Sequence, residues 1–140
     1  MQTTIIKEIE RDYLDNDKIL NFIEFLFDRT KKDKSLELNI VFCDDNRIQS
    51  LNSEFRHKDA PTNILSFYGY DGDILGDIII SIETLEKEAK ADNKNIFDYL
   101  LFLLAHGFLH LLGYTHETME KYNIMIEEQN KFVREWKNEE

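Results

Sequence analysis

A single cysteine stands among 140 residues, which excludes an internal disulfide framework and any metal cluster built on several thiolates. Cys43 ends an apolar run without a partner and reads as a small buried hydrophobe, consistent with a reducing compartment. Proline is as scarce, with Pro61 alone. No linker, repeat or low-complexity tract divides the chain, so residues 1–140 are expected to form one domain. Long hydrophobic runs are also missing. The longest, Tyr99 to Ala105, is too short to cross a bilayer, and no charged-then-apolar leader opens the chain. A soluble cytoplasmic protein with no membrane partner is the expectation. Basic residues are outnumbered 17 to 28, for a net charge of −11. That balance excludes broad electrostatic capture of a polyanion. A nucleic acid would have to bind locally, near Arg56-His57-Lys58 in the least acidic stretch. A hydrophobic content of 42% supports an ordinary core, and a chain of this size buries about two-thirds of its unfolded surface.

Histidine is not abundant either, yet three of the four lie between positions 106 and 116, in His106-Gly107-Phe108-Leu109-His110-Leu111-Leu112-Gly113-Tyr114-Thr115-His116. Residues four apart share a helix face, so His106 and His110 can aim at one centre. A helix continued to His116 would carry it about 1000° round the axis from His106, well off that face. Gly113 removes the difficulty, because glycine tolerates the left-handed conformation that ends many helices and lets the chain reverse. Three imidazoles suit zinc, and three protein ligands with a fourth position open is the catalytic pattern. His57 alone carries no functional signal.

The motif also lacks something. Zinc proteases with H-E-x-x-H-x-x-G-x-x-H use the glutamate after the first histidine as general base, and Gly107 stands there. Peptide hydrolysis therefore lacks its proton acceptor. Glu117, beside His116, is either a substitute base or a solvated residue at a helix start.

Periodicity orders the elements. Residues 3–9 read as a strand, and Ile19, Phe22, Ile23 and Leu26 form the stripe of a helix over 16–31. Leu36, Leu38, Ile40 and Phe42 alternate with polar or outward positions as a second strand. Asp44 or Asp45 caps a helix whose buried stripe is Ile48, Leu51 and Phe55. A polar loop over 56–62 precedes two strands, Asn63 to Tyr68 and Ile74 to Ser81, flanking Asp71-Gly72 in a hairpin with a connection longer than two residues. Helices follow over 82–91, 95–112 and 117–136, the middle one apolar nearly all round and hence central. The order βαβαββααα predicts an α+β fold: a four-stranded mixed sheet covered by helices, with the metal site on the central buried helix. Asp77, among isoleucines on the last strand, needs a partner. It either orients a ligand histidine or accepts backbone or hydroxyl hydrogen bonds.

Three blocks then carry a resemblance. Leu51 to Phe67 (LNSEFRHKDAPTNILSF), Leu75-Gly76-Asp77-Ile78 and His106 to His116, in that order, resemble the bacterial YbeY family of rRNA maturation factors over almost the whole chain. The resemblance implies a single metal-dependent hydrolase domain over 1–140, and a single-strand-specific endoribonuclease of the bacterial cytoplasm. Its work would be 16S rRNA 3′-end processing, ribosome maturation and quality control. It implies one zinc per chain on His106, His110 and His116, and a functional arginine at Arg56. The implied partners are single-stranded RNA, the 16S rRNA precursor, and the small ribosomal subunit or its assembly factors, with no DNA. Thr115 departs from the family's usual aspartate and Tyr68 from its frequent proline; neither is a ligand position.

A bound zinc would polarise a phosphoryl oxygen and lower the pKa of a water to about 7. Arg56 would stabilise phosphate charge through paired hydrogen bonds that lysine makes less well; without the resemblance it reads as a surface residue after a helix. Two nucleophiles stay open, water and the RNA 2′-hydroxyl, and only the second leaves a cyclic phosphate. Two other functions compete: a ribosome-assembly binding protein with a mainly structural zinc, and a zinc hydrolase of a non-nucleic substrate. The missing glutamate opposes the hydrolase, and the open fourth position opposes the structural zinc.

Overall fold

The computed structural model describes residues 1–139. Its elements are β1 (Gln2–Lys7), α1 (Asn16–Thr30), β2 (Glu37–Cys43), α2 (Asp45–Arg56), β3 (Ile64–Tyr68), β4 (Ile74–Ser81), α3 (Ile82–Ala91), α4 (Ile96–Leu111) and α5 (Met119–Glu139). The expected order βαβαββααα and α+β class are both present. The side chains of Asp15, Asp44, Ser81 and Asn95 each accept the backbone N–H three residues on, which fixes where α1, α2, α3 and α4 begin. Asp44, of the two candidates, is the α2 cap.

The strands lie in the order β1-β2-β4-β3. β1 and β4 both run parallel to β2, and β3 pairs antiparallel with β4. Parallel neighbours need a crossover; α1 joins β1 to β2, while α2 and the β3 hairpin lie between β2 and β4. β3 is thereby left on the edge.

The two sheet faces are covered unequally. On one, Leu38, Ile40, Phe42, Ile78 and Ile80 meet Phe22, Leu26 and Phe27 of α1, Leu104 and Phe108 of α4, and Phe132 and Trp136 of α5. The rings of Phe27 and Phe108 pack edge to face with centroids 5.0 Å apart, and Trp136 meets Phe22 the same way at 5.4 Å. The Trp136 indole donates to Asn21 at 2.8 Å, so its one polar atom is satisfied at the core margin. α4 buries nine of its residues, as its apolar circumference requires.

The other face carries a smaller cluster of Cys43, Ile48, Leu65 and Ile79, covered by α2. Cys43 is fully buried there, as expected. The expected α2 stripe needs a correction. Ile48 is buried, but Phe55 is 54% exposed and Asn52 is buried instead, donating to the Ala60 carbonyl at 2.9 Å. Leu51 still packs on this small core, while Phe55 lies edge to face with Phe67 of edge strand β3, centroids 5.4 Å apart, with its outer side in solvent.

Alternation also settles Asp77. It shares parity with Ile79, which belongs to the α2 face, whereas Ile78 and Ile80 face α4. Asp77 accepts from the Asn39 amide across the β2–β4 pair at 3.0 Å. With the sheet between them, Asp77 does not orient a histidine of α4, and its partner is a side-chain amide.

Among the described residues no helix is long and apolar enough to cross a membrane.

Candidate metal centre

His106 and His110 sit one turn apart near the end of α4. Gly113 then adopts φ +102°, and its N–H and that of Tyr114 donate to the carbonyls of His110 and Leu109, closing the helix as a left-handed stop. A Cβ on Gly113 would meet nothing within 4 Å, so conformation and not space calls for glycine there. The reversal returns His116 to the other two. Ring centroids lie 4.8 Å apart for His106 and His110, 4.9 Å for His110 and His116, and 6.1 Å for His106 and His116. One nitrogen from each ring falls within 4.8 Å of the others, a spacing that could hold a metal ion.

Hydrogen bonds select which nitrogens face the centre. His110 Nδ1 lies 3.0 Å from the Tyr114 carbonyl oxygen, which only accepts, so Nδ1 carries the proton and Nε2 keeps its lone pair. His106 Nδ1 meets Gln129 Oε1 of α5 at 2.9 Å, with the same result. Each ring is thus set in the tautomer a metal needs. Burial pushes the pKa of His106 down, with His116 adding to the shift, and pulls that of His110 down to about 4, with repulsion from the neighbouring histidines second. Both are neutral, and so able to ligate, at neutral pH.

Gly107 has a second explanation. It is buried between α4 and the sheet, and a Cβ would come within 2.9 Å of Ile64 Cδ1 and 3.2 Å of both Ser66 Oγ and Ile78 Cγ2. The position that carries the base in zinc proteases is therefore closed here to a side chain by the helix–sheet contact. Glu117 is solvent-exposed ahead of α5, 3.8 Å from Lys121 in an exposed pair, as the helix-start reading has it. Thr115 Oγ1 is buried and finds no hydrogen-bond partner among the described residues.

Arg56 arrives from the opposite side. It ends α2 on the far face of the sheet, and its guanidinium crosses edge strand β3. There it lies 5.0 Å from the centroid of the Phe67 ring and donates to the Ser66 carbonyl at 2.8 Å. The same side chain lines a cleft of about 400 Å³ with His106, His110, His116, Asn63, Ser66 and Tyr68. All four site residues expected from the sequence therefore share one cleft. Gln129 and the Tyr114 carbonyl, which hold the rings, were not foreseen. His57 is exposed at the α2 C-cap with φ +58° and does not line the cleft.

A family model described as Endoribonuclease YbeY matches residues 4–137. Proteins named Endoribonuclease YbeY from Rhizobium etli and Agrobacterium fabrum are 50% identical over 97 residues and 47% identical over 93 residues. These matches cover 60% and 61% of this chain and 57% and 55% of those proteins. The chain thus matches little more than half the length of these relatives. The solution structure of TM1509 from Thermotoga maritima superposes with a TM-score of 0.67 at 30% identity, covering 98% of this chain and 93% of that one. The chain belongs to the YbeY family.

Proposed function

We propose that residues 1–140 form one metal-dependent hydrolase domain, a zinc-dependent, single-strand-specific endoribonuclease of the bacterial cytoplasm. Its substrate is the 16S rRNA precursor, cut at the 3′ end in ribosome maturation and quality control. The small ribosomal subunit or its assembly factors direct it. The observation that carries this reading is the convergence of Arg56 and three histidine nitrogens on one cleft from opposite faces of the sheet. The names printed for the relatives supply the substrate class.

His106, His110 and His116 would hold one zinc, whose chemistry there is Lewis-acid polarisation of a phosphoryl oxygen and activation of a water. The chain's own groups do the rest. Gln129 and the Tyr114 carbonyl fix the ring tautomers before metal arrives. Arg56 places one N–H on the Ser66 carbonyl, which aims the guanidinium, and four N–H donors are left for phosphate oxygens. Phe67 supports the guanidinium from below. Among the described residues the cluster numbers three donors, with no fourth histidine, cysteine or carboxylate, as a site open to substrate requires. The buried Gly107 opposes a peptidase reading.

The test is RNA cleavage by highly purified protein of measured metal content, with His110→Ala purified in parallel to expose contaminating ribonuclease. One zinc per wild-type chain and little in the variant are expected. Unstructured RNA should be cut weakly, duplex RNA of the same sequence hardly at all, and the 3′-end cut should sharpen when small-subunit particles are added. Equal rates on both RNAs at matched salt, or full zinc retention by His110→Ala, would overturn the reading.

A further inference from the structure

The Arg56 cleft is one of two that meet at the metal centre. Asn63, Ile64 and His106 line it, and the same three residues line a second cavity of about 370 Å³ on the side away from Arg56. That volume lies within the usual range for small-molecule pockets, about 300–1,000 Å³. The two form a groove with His106 at the junction.

The second lobe differs in chemistry. Its cation, Lys94, sits 5.1 Å from the centroid of the Phe102 ring, and Asp92 lines the same lobe. A phosphate would meet a carboxylate there and a lysine already placed on a ring, so the lobe suits an uncharged flat group. Its aromatic wall supplies the complement. Tyr122, in the first turn of α5, is 44% exposed, and its ring lies 6.5 Å from that of His116.

We infer that this second lobe takes the base of a nucleotide next to the phosphate held at Arg56 and the histidines, with Tyr122 as its stacking platform. Tyr122 is a positioning residue in this scheme. The inference rests on the endoribonuclease reading and adds a physical source for single-strand preference: a base can reach Tyr122 only after leaving its own stack, which a duplex resists.

A metal-loaded protein and 2′-O-methyl single-stranded RNAs carrying 2-aminopurine at successive positions provide the test, since stacking quenches this fluorophore. Quenching at one position is expected with wild type. Tyr122→Ala should abolish it and weaken binding on the order of tenfold, and Tyr122→Phe should restore both. Zinc content should be the same in all three proteins. Quenching that survives Tyr122→Ala, or binding with no position-dependent quenching, overturns this inference alone. Loss of zinc from Tyr122→Ala assigns the tyrosine to supporting His116 and overturns the stacking role. Metal-loaded wild type that binds no single-stranded RNA overturns the endoribonuclease reading and this inference with it.

Discussion

At the scale of single residues, the centre depends on atoms that never face it. Gln129 is nearly fully buried and lies 23 residues from its partner His106, so a glutamine in an amphipathic helix gives no signal until that helix docks. Gln129→Leu keeps the volume and removes the acceptor; zinc affinity should fall by about 10–100-fold, read by competition with a chromogenic chelator. Arg56→Ala should leave zinc content and melting temperature nearly unchanged while lowering single-turnover RNA cleavage by about 100-fold or more, with Arg56→Lys recovering part. Wild-type rates in the alanine variant would return Arg56 to the surface. Protonation supplies a third expectation. Burial holds His106 and His110 below the ordinary histidine value of 6.5, so the unfolded chain takes up protons that the fold refuses. Metal-free protein should therefore be at full stability above about pH 6.5 and lose it as pH falls toward 4. Melting temperatures of chelated protein should drop between pH 6.5 and 5, and this part of the drop should shrink in His110→Ala.

At the scale of elements, α4 is both the centre of the core and the carrier of two site histidines, and the close approach at Gly107 joins those roles. Gly107→Glu, which would restore the protease-like motif, should cost about 3 kcal/mol or more and confer no peptidase activity. Denaturant unfolding and a casein assay would check both. Element order, a cap at Asp44 or Asp45 and the turn at Gly113 were legible because each follows from local spacing or backbone conformation. Phe55 misled because apolar spacing shows which side of a helix meets the sheet but not how deeply it is covered, and Phe55 packs only on Phe67 of edge strand β3. Asp77 stayed ambiguous because alternation along β4 shows which residues share its face, but not which helix covers that face or which side chain of β2 lies beside it. The meeting of Arg56 with the histidines depends on edge strand β3 lying between α2 and α4, a relation of three segments that periodicity does not encode.

At the scale of the whole molecule, a net charge of −11 surrounds a cleft whose one guanidinium is Arg56. Few phosphates can be neutralised at once. Binding of single-stranded RNA should fall with salt on a logarithmic slope of roughly −1, since each neutralised phosphate on a single strand contributes about −0.7; fluorescence anisotropy between 50 and 200 mM salt measures it, and a slope steeper than about −4 would require a broad cationic surface elsewhere. The last consequence concerns Cys43. The donors gathered at the centre are nitrogens, and the one thiol is fully buried on the far side of the sheet, its pKa pushed up to about 12 by burial. Peroxide therefore finds neither a thiolate to attack nor a metal–sulfur bond to break. The fold keeps the one cysteine apart from the three histidines, so a metal held there would not be lost through oxidation of that thiol.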